Sequence, residues 1–131
     1  MEGVNLIEVV FDTTKTDLEA IMVPWKAASL RYVWSKGGDV VTNRDLWEHI
    51  YPLYKISRTS INQFMKSMTE AGVLVNRPQT GKGGMHGRYS PKLGEEDFRG
   101  EVARMVLNRL LVFSPKVTRR FVEECSEPSR S

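Results

Sequence analysis

The sequence predicts a mainly α fold with a small β-hairpin, an α+β domain in which three helices lead into two short strands. Three observations predict it. Ile61, Phe64, Met65 and Met68 recur at i, i+3, i+4 and i+7, so residues 57–72 read as an amphipathic helix. Two further helical patterns precede it, over 24–35 and 43–51. A β-branched run, Val73-Leu74-Val75-Asn76-Arg77, follows it, then a glycine-rich loop and a returning Arg88-Tyr89-Ser90. Helix, short extended pair, helix, turn, helix and hairpin is the order of a winged helix-turn-helix, with the hairpin as the wing.

In chain order, VNLIEVVF at 4–11 reads as a short strand or an extended arm. Thr16 and Glu19 have capping-box spacing and start a short turn through Ile21 and Met22. This acidic segment could pack on the core, cross to a partner subunit or form a docking arm. Pro24 suits the first turn of a helix with Leu30, Val33 and Trp34 inward, helped by Ala27 and Trp25. Lys36-Gly37-Gly38-Asp39 ends it, and Val40-Val41 is long enough only for a stub of strand. Thr42 caps the next helix, which turns Leu46, Trp47 and Ile50 inward and is stopped by Pro52. Leu53 to Ile56 is the turn into the third helix, capped by Ser57 and terminated by Gly72.

Pro78 to Gly87 reads as a loop with four glycines, Gly81, Gly83, Gly84 and Gly87. It has neither a Walker loop's Gly-Lys-Ser/Thr nor a following helix. It is either a bare hairpin tip or a wing that touches DNA. A fourth helix spans 95–113, acidic at its start and basic later, in keeping with the helix dipole. Phe98, Val102, Met105, Val106, Leu110 and Phe113 share one side, leaving only a narrow polar arc through Glu101, Arg104 and Asn108. Ser114-Pro115 starts a last helix with Val117, Phe121 and Val122 inward, and 126–131 is a frayed tail. These two helices either finish the monomer core or make a symmetric homodimer. Their excess of apolar surface favours the dimer. The organisation is therefore an N-terminal arm at 1–23, a winged-helix domain at 24–92 and a C-terminal helical dimerisation region at 93–131.

Composition narrows the function. The 131 residues are 40% hydrophobic and 27% charged, which is ordinary for a folded domain. No membrane-length apolar run and no basic-then-apolar leader occurs, and the expected home is the cytoplasm. One cysteine, Cys125, excludes an intrachain disulfide and a multi-cysteine zinc site. The net charge of +3 conceals an asymmetry. Residues 1–23 hold one basic and five acidic residues, residues 24–92 eleven and four, and residues 93–131 seven and seven. A basic middle favours a polyanionic partner.

On the third helix, Thr59, Gln63 and Lys66 point away from the apolar stripe, with Asn62 nearer the flank. No acid interrupts that face before Glu70. Asn and Gln pair bidentately with adenine, Lys reaches guanine or phosphate, and the Thr methyl meets the thymine methyl. Arg77, Lys82 and Arg88 are placed for phosphates or the minor groove, with Ser57, Arg58 and His86 grouped beside them as backbone neighbours. Neither His49 nor His86 has a carboxylate or cysteine at ligand or triad spacing. No enzyme, metal or cofactor is therefore expected.

The stretch from about Leu30 to Phe98 resembles the penicillinase-repressor (BlaI/MecI) family of winged-helix transcription regulators. LRYVWSKG, RTSINQFMKSMTEAGVL and RYSPKLGEEDF carry the resemblance. It implies a third helix in the major groove, a wing on the backbone and C-terminal helices forming a homodimer. It implies base-facing roles for Thr59, Asn62, Gln63 and Lys66, and backbone roles for Arg58, Lys82 and Arg88. The long glycine-rich wing, the first 23 residues and a C-terminus without paired cysteines depart from the family pattern. The expected function is a sequence-specific, double-stranded-DNA-binding regulator, a dimeric repressor occluding a palindromic promoter site. A protein-docking winged helix inside a larger assembly is the alternative. No effector or sensor partner can be read.

Overall fold

The computed structural model describes residues 10–81 and 84–126. Most of the arm expected at 4–11, Lys82 in the wing and 127–131 of the expected tail lie outside the described residues. The chain divides into two compact units, Met1–Phe98 and Arg99–Ser131.

The first unit is a winged helix. A 3-10 turn (Asp17–Ala20) leads to α1 (Pro24–Ser35), β1 (Val41–Thr42), α2 (Asn43–Tyr54) and α3 (Arg58–Glu70). Strands β2 (Leu74–Asn76), β3 (Gln79–Gly81), β4 (Gly84–His86) and β5 (Arg88–Pro91) follow, and α4 (Glu95–Phe113) begins in this unit. Ala27, Leu30 and Val33 of α1, Leu46 and Ile50 of α2, and Ile61 and Met65 of α3 form its core. Phe98 completes it against Trp34, with ring centroids 5.5 Å apart, while the Trp34 indole N–H donates to the Leu93 carbonyl at 3.0 Å. Phe98 therefore belongs to the core of the single chain, not to a dimer surface. Its own chain already covers the ring completely, so no apolar surface of Phe98 is left for a partner to bury.

The acidic segment packs on α1. Leu18 and Ala20 are buried, and Arg31 bridges Glu19 at 2.7 Å and Asp17 at 3.0 Å. The capping box expected from Thr16 and Glu19 does not form, because the Glu19 carboxylate is taken by Arg31. That charge-assisted hydrogen bond holds the Glu19 carboxyl below its usual range. Thr42 and Asp45 do form a reciprocal capping box on α2.

Proline does not stop α2, which runs through Pro52 to Tyr54. So close to the C-terminus, the missing N–H removes one bond and leaves the rest of the ladder intact. Lys55, at φ 56°, adopts the left-handed conformation and donates its N–H to the Tyr51 carbonyl at 2.8 Å. Trp47 is half-buried rather than inward, its indole N–H donating to the Ile56 carbonyl at 3.1 Å.

Sheet order is β1-β5-β2, antiparallel throughout. The expected loop at 78–87 contains β3 and β4, paired from Gln79↔His86 to Gly81↔Gly84. This register continues that of β2 and β5, where Asn76 faces Tyr89, so one hairpin carries both ladders. The ladder is interrupted between these two stretches, at Pro78 and Gly87, where the Arg88 N–H is taken by the Asn76 Oδ1 at 3.0 Å and does not return to the Arg77 backbone. At Gly87 a Cβ would stand 2.7 Å from the ring of Tyr89, which is buried and would have to shift to admit a side chain.

In the second unit, α4 continues and α5 (Pro115–Ser126) follows. The Thr118 hydroxyl, itself buried, donates to the Leu110 carbonyl at 3.1 Å and ties the two helices together. Val102, grouped with Phe98 on the expected dimer side, is likewise buried within the single chain and leaves little surface for a partner, whereas Leu110 and Phe113 are exposed. Val117, Phe121 and Val122, expected inward, are exposed as well. With only α4 in the unit to cover it, the apolar face of α5 cannot be closed within 99–131. It lines a groove of about 630 Å³ with Leu107, Leu110 and Phe113.

Candidate nucleic-acid interface

The geometry of α3 follows from two interleaved stripes. Ile61, Phe64, Met65 and Met68 are buried. Thr59, Asn62, Gln63 and Lys66 repeat the same i, i+3, i+4, i+7 spacing two residues earlier, about 200° round the helix. All four are exposed, and among the described residues their side chains have no hydrogen-bond or ionic partner. At about 20 Å in length and about 10–12 Å in diameter, such a helix matches the width of a B-DNA major groove.

Both ends of α3 are fixed. The Ser57 hydroxyl accepts from the Ser60 N–H at 3.1 Å and donates to the Ser60 hydroxyl at 3.1 Å. Ser57 thus caps α3 and fixes where its first turn begins. At the other end Gly72, at φ 85°, donates to the Thr69 carbonyl and Val73 to the Met68 carbonyl, a Schellman motif. Arg58 lies 5.2 Å from the centre of the Trp47 ring. Stacking of this kind steadies a guanidinium while its edge donors face solvent. Sequence reasoning missed that contact, and the spacing of 47 and 58 across a turn gives no signal for it.

The wing presents a second face. Residues opposite one another in an antiparallel pair project to the same side, and alternate residues along a strand share it. The register therefore groups Leu74, Asn76 and Tyr89 on one side, with Leu74 and Tyr89 buried. Val75 and Ser90 fall on the other side with Arg88. Gln79 and His86 pair further out, and the alternation carried past the end of β2 adds Arg77 and Gln79 to the same row. There Arg77, Gln79 and His86 are exposed and Arg88 is half-buried. Gln79 joins this set only through the register; counting back from the paired glycines at 81 and 84 would have found it. Asn76 supports the row by accepting the Arg88 N–H at its Oδ1, 3.0 Å away.

Among the described residues no cluster of His, Cys, Asp and Glu could hold a metal, and no helix is long and apolar enough to cross a membrane.

No family model matches the sequence, and no curated protein does. A solved structure described as a possible transcriptional regulator from Methanosarcina mazei Go1 is similar in fold, with a TM-score of 0.59 over 75% of this chain and 78% of that one. The two are 11% identical, so the likeness is one of fold.

Proposed function

We propose that the chain is a sequence-specific regulator that binds double-stranded DNA, with α3 reading base edges in the major groove and the wing touching the backbone. The observation that carries this reading is the stripe of Thr59, Asn62, Gln63 and Lys66, exposed and unpartnered opposite a fully buried stripe. Gln63 and Asn62 offer bidentate amides, Lys66 a cation for guanine or phosphate, and Thr59 a methyl for thymine. Arg58, Arg77, Lys82, His86 and Arg88 supply backbone contacts, which carry affinity without sequence information. The basic 24–92 segment and the fold shared with a possible transcriptional regulator support the same reading. So does the resemblance of residues 30–98 to penicillinase-repressor regulators.

The open apolar groove of 99–131 supports a homodimer, with Leu110, Phe113, Phe121 and Val122 at its contact. Two copies would read half-sites about 34–36 Å apart on a palindrome and occlude a promoter from the cytoplasm. The same groove is what a docking module would use, so duplex binding decides between the two. Fluorescence anisotropy on the protein's own upstream DNA and on a scrambled duplex, across salt, is the test. A preference of about 10³ or more for the native duplex is expected. Lys82→Ala should weaken both duplexes alike and flatten the salt dependence. Weak, equal binding that vanishes near physiological salt would leave the docking module standing.

A further inference from the structure

We infer that Arg77 and Arg88 form a clamp in which two arginines hold one backbone phosphate, an inference that rests on the DNA-binding reading above. The observation is their register. β2 ends at Asn76, which faces Tyr89. One residue on, the Arg77 N–H donates to the Arg88 carbonyl at 2.8 Å while the Arg88 N–H turns to the Asn76 Oδ1, so a single main-chain bond holds the two arginines opposite one another. On its other side Arg88 faces Thr42 of β1. A single row across the sheet thus reads Thr42, Arg88, Arg77, all on one face.

Like charges directly opposite on neighbouring strands destabilise a sheet. Nothing in the wing offsets this pair: no Asp or Glu occurs between Glu70 and Glu95. Asp45, on the first turn of α2 behind Thr42, turns its carboxylate to the Thr42 N–H at 3.2 Å. Neither guanidinium has an ionic or hydrogen-bonded partner among the described residues. A phosphate monoanion between two planar, bidentate donors converts that repulsion into attraction. Cβ atoms about 5 Å apart, as on facing strands, let both side chains reach one anion. The free wing thus carries an electrostatic cost that binding removes.

The test uses the full chain as wild type, Arg77→Gln, Arg88→Gln and the double variant. Thermal unfolding is followed in sodium chloride and in sodium phosphate at equal ionic strength, and duplex binding by anisotropy across salt. Arg77→Gln, whose side chain is exposed, should melt about 1–5 °C higher than wild type in chloride. Wild type should gain more from phosphate than either single variant. In the duplex titrations each single variant should keep a near-native salt slope, because the remaining arginine still neutralises the phosphate. The double variant should flatten that slope by about 0.9. Single variants that each flatten it by about 0.9, with twice that in the double, would assign the arginines to separate phosphates and overturn the clamp. An equal phosphate response in all four proteins would overturn it even if duplex DNA binds. The expected melting and phosphate responses without duplex binding would keep the anion clamp and sink the DNA reading.

Discussion

In α3 the apolar stripe of Ile61, Phe64, Met65 and Met68 is at most 9% exposed, whereas in α5 Val117, Phe121 and Val122 stand at 37%, 57% and 40%. Both helices are amphipathic by sequence. The difference lies in what surrounds them. In the first unit α3 packs against α2 and β2, which close over its stripe. In the second, α5 has α4 alone. Amphipathicity says which face seeks cover; it does not say that the same chain supplies it. The polar sides differ as well. On α3 it is an unbroken, acid-free set of amides and a lysine, while α5 mixes Lys116, Arg119 and Arg120 with Glu123 and Glu124.

The widest test of this contrast truncates one residue from each stripe. Met65→Ala should cost about 2–5 kcal/mol in urea unfolding, since a fully buried methionine leaves a cavity. Phe121→Ala should cost the isolated chain about 1 kcal/mol or less, yet abolish concentration-dependent association in sedimentation velocity. Equal, concentration-independent losses from both would remove the distinction between a covered and an uncovered stripe.

The polar faces sharpen it. Gln63→Ala should leave stability within about 0.5 kcal/mol, since its side chain is exposed and unpartnered. It should relax discrimination at one base pair by about 1–3 kcal/mol in competition titrations. Ser57→Ala should instead cost about 1 kcal/mol of stability through the lost cap and weaken matched and scrambled duplexes by one common factor. A loss of DNA affinity in Ser57→Ala with stability intact would assign the serine a direct contact rather than a capping role alone.

The smallest effect concerns the N-terminal turn. Glu19 is held below its usual range by the Arg31 hydrogen bond, so the unfolded chain binds the proton more readily than the folded one. The stabilisation is thus complete above the ordinary glutamate pKa of about 4.3 and fades as pH falls through the lower folded value. Acid titration of thermal stability should show this loss in wild type and not in Glu19→Gln. The effect is small because both partners are about a third exposed.

How much of this was legible in sequence depended on whether side chains or backbones carry the information. The ends of α3 could be read because Ser57 and Gly72 are chosen for cap chemistry, and α4 spans 95–113 as the apolar pattern predicts. The wing beyond Asn76 could not. A ladder through Gln79, Thr80 and Gly81 is held by main-chain bonds, and glycines that favour a loop do not forbid a strand. Pro52 misled in the opposite direction, because a proline costs little where few helical bonds remain. For the interface, helical spacing alone identified Thr59, Asn62, Gln63 and Lys66 as a face. The stacking of Arg58 on Trp47 needed the turn between α2 and α3, which no periodicity encodes. Val117, Phe121 and Val122 were correctly grouped but wrongly buried, since the pattern does not count available neighbours.

The clasp of β1 on β5 also sets an order of events in time. Val41 pairs with Tyr89 across the whole of α2, α3 and the wing, whereas β2 and β5 are joined by a local hairpin. Closing the long loop meets its entropy late, after the helices and hairpin have formed from neighbours in sequence. Val41, fully buried yet held by so short a strand, is therefore expected among the last core residues to dock. Truncating it should speed unfolding far more than it slows refolding, which places the β1 edge as the latch that opens first.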